Sequence, residues 1–283
     1  MTQSQSRTAS TGARAPLSWR AEARRQLSRR RTLWCFVLIV ALPLIIVGAF
    51  AIGDGDGGGG EDRFVALATS GAANFTVFSL AVSSSFLLVV LAALFVGDSV
   101  PSEASWSTLR YLLLAPVPRS RLLTSKLVVG LTTMALSVAI LVLWSLLVGW
   151  VFYGGTAFTT LSGGTIDWGS MAPRLLAVTA YIVLSLLPVG AIAFALGVRT
   201  DAPLAAVGGA VMVTIVASIL GQIGNLGDIR SALPLYYAGA WFDLLRPVVD
   251  YTDVRHGALW SLLYTGTFVS LGYAMFRRKD ILS

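Results

Sequence analysis

The chain has 283 residues, 55% hydrophobic and only 12% charged, with a mean hydropathy of +0.76 and a formal net charge of +7. A soluble domain carries about twice that charged share, which excludes an ordinary water-soluble globular protein. The single cysteine, Cys35, excludes an internal disulfide and a cysteine metal site, and the lone His256 has no histidine or cysteine partner with which to build a catalytic or metal centre.

Taken in chain order, residues 1–17 read as a disordered basic tail, rich in Ser, Thr and Gln and without apolar periodicity. Residues 18–31 differ. Trp19, Ala23 and Leu27 recur every four positions, with arginines on the remaining faces. This predicts an amphipathic interfacial helix whose membrane-surface residues are Trp19, Arg24, Arg25, Arg29, Arg30 and Arg31. A disordered basic tail is the plainer alternative. The basic run leads straight into a full-length apolar stretch, so it reads as the flank of a retained first helix and not as a cleaved signal peptide.

Six stretches without Asp, Glu, Lys or Arg follow, at 33–52, 75–97, 127–153, 175–198, 202–223 and 257–276. A helix rises about 1.5 Å per residue, so about 20 residues cross the hydrocarbon core. The expected fold is therefore an all-α integral membrane protein, with six transmembrane helices in a domain at 32–276 and a short tail at 277–283. Charge-free spans argue against an ion-coupled carrier, which keeps ionisable groups at membrane depth.

The connections are unequal. The Gly-rich run at 53–60 reads as a flexible turn, and a calcium loop at Asp54 and Asp56 lacks its closing glutamate. Residues 224–256 crowd Leu233, Leu235, Tyr236, Tyr237, Trp241, Phe242, Leu244 and Leu245 into a segment too short to span, which predicts a re-entrant or interfacial helix pair. Small residues recur every four positions, and the span at 202–223, with Gly208 and Gly209, is the expected site of tightest helix packing. Sixteen of the 21 basic residues fall in 1–32, 98–126, 199–201 and 277–283. The positive-inside rule places these segments, and hence both termini, in the cytoplasm. Nineteen basic residues are Arg and two are Lys, a bias typical of high-GC bacterial genes, so the expected location is a bacterial plasma membrane. Arginines that flank spans do not call for nucleic acid.

The segment 98–126, DSVPSEASWSTLRYLLLAPVPRSRLLTSK, carries most of the information. Ser99 or Ser102 can cap a helix whose first turn suits Pro101 and Glu103. Apolar Trp106, Leu109, Tyr111, Leu112, Leu113 and Leu114 follow, and Pro116 and Pro118 break the run. The product is a short helix with a partly apolar face on which a soluble partner can dock.

This segment resembles the cytoplasmic region between the second and third spans of ABC-2 type transporter permeases, the exporter-like (type V) membrane subunits. The shared pattern is an acid, a Thr-Leu pair, an apolar run, Pro, a basic residue, an apolar pair and Lys. Here it is carried by Glu103, Ser107-Thr108-Leu109-Arg110, Tyr111–Leu114, Pro116, Arg119, Leu122-Leu123 and Lys126. Ser107 stands where glycine is common. The resemblance implies the permease half of an ATP-driven exporter. It further implies that Glu103, Trp106, Leu109, Arg110, Leu113, Pro116 and Arg119 lie in or beside the surface that couples to the ATPase subunit. It implies ABC ATPase partners, a second permease copy or a related permease, and surrounding membrane lipids. ATP and Mg would be bound by the partner, because neither lysine follows a glycine and a phosphate loop is impossible here. Leu161-Ser162-Gly163-Gly164 matches part of an ABC ATPase signature but lies in a turn on the opposite side, and it reads as chance.

Two other classes compete: a non-transporting membrane sensor or assembly component that docks a cytoplasmic partner, and an ion-coupled carrier. The substrate is not legible. Thr132, Thr133, Ser137, Trp144, Ser145, Tyr181, Ser185, Thr214 and Ser218 give the spans a thin polar lining, compatible with an amphipathic, lipid-like, peptide or drug cargo.

Overall fold

The computed structural model describes residues 19–52, 60–102, 119–160 and 163–278. In hydrocarbon a charge-free chain satisfies its backbone most simply by forming helices, and helices dominate the described residues. They are α1 (Trp19–Leu27), α2 (Arg30–Ile52), α3 (Gly60–Ala68), α4 (Ala72–Ser84), α5 (Leu87–Gly97), α6 (Arg119–Tyr153), α7 (Trp168–Arg199), α8 (Pro203–Gly221) and α9 (Thr252–Arg278). A two-stranded antiparallel hairpin, β1 (Phe158–Thr159) and β2 (Thr165–Ile166), joins α6 to α7, with Phe158 opposite Ile166. Two 3-10 segments, Gly224–Ala232 and Ala240–Leu245, lie between α8 and α9.

Helices α2, α6, α7 and α8 are long and apolar enough to cross a membrane, and the bent pair α4–α5 makes a fifth candidate. The sixth, α9, has 27 residues but is less apolar, because Ser, Thr, Gly and Tyr interrupt its leucines. The fold is thus that of an all-α membrane protein, with four or five candidate spans by length and apolarity among the described residues.

Three expectations need correction. The second stretch is not one straight helix over 75–97. It begins at Ala72, stops at Ser84, bends by 60° and resumes at Leu87. Serines stand at the break. Ser83 Oγ donates to the carbonyl of Ser79, and the Ser84 and Ser85 hydroxyls both reach the carbonyl of Ala81. Such back-bonding loosens the regular ladder and favours a bend. The amphipathic helix stops at Leu27 instead of running to 31, because the backbone turns at Ser28 and Arg29 before α2 starts. The third stretch starts earlier than 127, at Arg119, so its polar first two turns carry Lys126.

The ends of the bundle are distinct. At one end Val96, Val100, Leu123, Leu127, Val198 and Phe276 pack together, uniting the end of α5, the start of α6 and the ends of α7 and α9. We call this the basic end. At the other, the hairpin meets the start of α4. Asn74 Nδ2 donates to the carbonyl of Thr159 at 2.8 Å, and the Thr159 amide donates back to Asn74 Oδ1 at 2.9 Å. This is the hairpin end. Since α4 starts at the hairpin end and α5 finishes at the basic end, the bent pair runs from one end of the bundle to the other.

The tightest crossings are not on the 202–223 helix. Its buried face is Ala206, Ala210, Thr214 and Ala217, and Gly208 faces open space. The backbones approach most closely where α5 meets α7, and next where it meets α6. A Cβ on Gly197 would lie 2.5 Å from the carbonyl oxygen of Gly97, and one on Gly130 would lie 2.9 Å from that of Phe95. Residues 224–256, where the sequence predicts a re-entrant or interfacial helix pair, contain two 3-10 segments. The first buries no residue and is interrupted at Gly227, where φ is 54°. The second buries Trp241 and Leu244 against the bundle.

Candidate coupling site at the basic end

Most of the residues that the sequence assigns to coupling, Glu103, Trp106, Leu109, Arg110, Leu113 and Pro116, lie outside the described residues. Arg119 is the first residue of α6, and its side chain is likewise outside them. The structure does describe both ends of that segment and what holds them.

Before it, α5 ends at Gly97 and Asp98 follows, 4% exposed. Arg29 donates to Asp98 Oδ2 at 3.1 Å and to Ser102 Oγ at 3.0 Å, and Arg31 also pairs with Asp98 Oδ2. Asp98 Oδ1 is buried without a hydrogen-bond partner among the described residues. After the segment, Lys126 donates to Glu22 Oε1 at 2.9 Å, with the two side chains 1% and 6% exposed. Between these pairs, Gln26 Nε2 donates to the carbonyl of Phe95 at 3.0 Å. A charge-assisted bond between buried partners is short and geometrically demanding, and either charge alone would be strongly destabilising there.

The reason is local. Glu22 and Gln26 are four residues apart and therefore share one face of α1. That face is polar and turned inward, while Trp19 is 62% exposed and Leu27 is 41% exposed. The apolar stripe read from the sequence points away from the protein, and the polar stripe docks on it. Arg24, Arg25 and Arg30 are exposed. Arg29 and Arg31 are both drawn to Asp98, with the Arg31 side chain still 44% exposed. A short α1 and the turn at 28–29 make this possible, because they swing the arginines toward the end of α5.

Sequence reasoning passed over Glu22, Gln26 and Asp98. Glu22 is the one acid in an arginine-rich tail, and Asp98 is the one acid that directly follows the second apolar stretch. A lone charge of opposite sign beside a span was the available signal. The polar span residues are not gathered into one site. The hydroxyls of Thr133, Ser137, Ser145, Ser185 and Thr214 each bond to a carbonyl of their own helix. Trp144 Nε1 donates to the carbonyl of Val40, and Tyr181 Oη to that of Tyr237. The Gly163-Gly164 pair sits in the β-hairpin turn, at the hairpin end, with Gly163 at φ 85°.

A bundle of apolar helices with an ionic clamp on either side of residues 103–118 defines a multi-pass membrane protein. Residues 25–222 match the family model of the ABC-2 family transporter proteins, and the chain belongs to that family. The match runs from the end of α1 to the end of α8, and so takes in the clamp at Gln26, Arg29, Arg31, Asp98 and Lys126. No curated protein matches the sequence. The chain is thus a membrane permease subunit of the ABC transporter class.

Proposed function

We propose that this chain is the membrane half of an ATP-driven exporter, with both termini in the cytoplasm and six membrane passes. ATP and Mg are bound and ATP is hydrolysed by separate nucleotide-binding subunits, which dock on residues 103–118. Two such subunits serve a pair of permeases, either two copies of this chain or this chain and a relative. The cargo is an amphipathic, lipid-like, peptide or drug molecule.

The observation that carries this reading is the double tether of α1. Its Glu22 holds Lys126 after the segment, and Arg29, two residues beyond α1, holds Asp98 and Ser102 before it. A displacement imposed on 103–118 therefore reaches α5, α6 and α1 together. In this reading Glu103 would stand at the start of the helix that the sequence predicts, where its charge is favoured, and Trp106, Leu109 and Leu113 would supply an apolar contact beside Arg110.

The test is co-expression with an ABC ATPase from the same genome, followed by co-purification and reconstitution. Glu103→Ala and Leu109→Asp should leave membrane insertion intact while weakening ATPase association or separating ATP turnover from transport. Asp167→Ala, at the hairpin end, should do neither. Normal assembly and transport in both loop variants would leave the segment a structural turn, and the non-transporting component would become the better reading.

A further inference from the structure

The hairpin end contains a cavity of about 800 Å³ that takes no part in the ionic clamp. Val77, Phe78 and Ala81 of α4 form one wall, Phe64 and Leu67 of α3 a second, and Phe242 and Leu245 of the second 3-10 segment a third. Its polar lining is already engaged. Asn74 is bonded twice to Thr159, and the Thr160 hydroxyl reaches the carbonyl of Gly164 at 3.0 Å. A sugar or polar peptide placed here would leave its own donors and acceptors unmet. The volume lies in the range of ligand sites, which are mainly apolar with a few polar groups that fix orientation.

Those orienting groups stand at the mouth, where Val248 is 85% exposed and Phe64 60%. Arg246 is the ionisable lining residue, and its side chain is 62% exposed. It meets Asp243 at 2.9 Å through one nitrogen, and a guanidinium has five donors. Arg174 donates to the carbonyls of Arg246 at 2.7 Å and Pro247 at 3.4 Å, which sets a second cation on the same rim. Asp243, in direct contact, and Asp250, within electrostatic reach of Arg246, offset the charge of the two guanidiniums, but each guanidinium keeps donors that no described carboxylate fills, above an apolar interior.

We propose that this cavity receives the acyl chain of an anionic amphiphile, with the headgroup held at Arg246 and Arg174. The site deepens the exporter reading by naming a cargo class, and rests on that reading only for the link to export. Binding itself requires no ATPase.

The full chain is placed in nanodiscs of zwitterionic lipid, and three probes carry the same diazirine near the chain end: hexadecanoic acid, hexadecanol and phosphatidylglycerol. After illumination the labelled peptides are mapped by mass spectrometry. Hexadecanoic acid should label peptides holding residues 77–81 and 242–248 about tenfold more than hexadecanol, the scale of a charge-assisted hydrogen bond. Ala81→Trp, which fills the interior, should remove the label. Val248→Asp, at an exposed position that leaves the fold intact, should lower labelling by the acid and not by the alcohol. Labelling by phosphatidylglycerol alone upholds the acyl site and makes its occupant a resident lipid, which overturns the link to export. Equal labelling by acid and alcohol overturns the anionic headgroup. Label that avoids these peptides, or ignores both substitutions, overturns the site. Failure of an ATPase to pair with the chain would leave every one of these readouts unchanged, so the two readings fail separately.

Discussion

The two ends of the bundle are built on opposite principles. The basic end is closed by specific directed bonds: a buried Lys–Glu pair, two arginines on one aspartate and a glutamine on a helix carbonyl, all within reach of helix backbones that nearly touch. The hairpin end is made of short pieces, a two-residue-per-strand hairpin, the nine-residue α3 and the six-residue Ala240–Leu245, and they enclose volume instead of excluding it. Directed bonds fix distances and so pass on a displacement. Loosely spanned volume accepts a guest. The match to a transporter family thus has a physical counterpart in the unequal stiffness of the two ends.

The largest expected effect breaks the stiff end. Lys126→Met strands Glu22 in a buried site and should cost about 3–5 kcal/mol, read as a fall in thermal unfolding temperature in detergent. Adding Glu22→Leu should recover most of that loss, because apolar replacement of a whole buried pair is often neutral. If the single variant melts like the native protein, the clamp does not hold this end.

Packing gives the next effect. Gly197→Val would drive a side chain into the carbonyl of Gly97 and should cost about 1–3 kcal/mol. Gly208→Ala meets nothing within 4 Å and should be neutral or slightly stabilising in the same melt. Equal effects at the two glycines would mean that the α5–α7 crossing is not held by close backbone approach.

At the hairpin end the expected effect is smaller and more local. Asn74→Leu leaves the Thr159 amide and carbonyl without their partner, at a cost of about 1–3 kcal/mol. Hydrogen exchange should quicken at 158–166 and remain unchanged near Asp98. A global loss would show that the hairpin is as integral as the clamp.

The smallest effect is a pH response. The Asp250 carboxylate accepts the Thr252 amide at 2.9 Å just before α9, and this bond holds its pKa below the ordinary carboxylate value. A lowered folded pKa gives stability that is complete above the unfolded value, about 3.9, and is lost as the pH falls through the folded one. Exchange of the first α9 amides, corrected for intrinsic pH dependence, should therefore quicken only in acid. In Asp250→Ala it should already be fast and show no such step.

The sequence disclosed the helices because charge-free runs of 20 or more residues have few other fates in a bilayer, and it disclosed the family through the 98–126 pattern. It did not disclose the break at 85–86. No proline or glycine marks it, and hydroxyl back-bonding depends on rotamers that composition does not specify. It did not disclose the contacts of Arg29 and Arg31 with Asp98, for a related reason. A residue-by-residue reading of a tail sees solvent or lipid headgroups on every side, whereas Asp98, 67 positions beyond Arg31, becomes a neighbour only through the fold. Glu22 and Lys126 stand 104 positions apart and were hidden in the same way. The wall formed by Phe242 and Leu245 was legible as a crowd of apolar residues, but not as the side of a cavity.

The bend between α4 and α5 also bears on how the protein is made. The two halves have 13 and 11 residues, about 20 Å and about 16 Å of helix. Each is shorter than the roughly 20 residues that a translocating chain needs to partition as a span. Neither half can therefore be released sideways into lipid as soon as it emerges. The nascent chain must extend until Gly97 has also left the ribosome before the pair is long enough to partition as one unit. A chain halted with Ser84 but not Gly97 clear of the exit tunnel would present α4 alone, too short to partition by itself. Biogenesis of this chain has a commitment point at the same serines that shape its mature form.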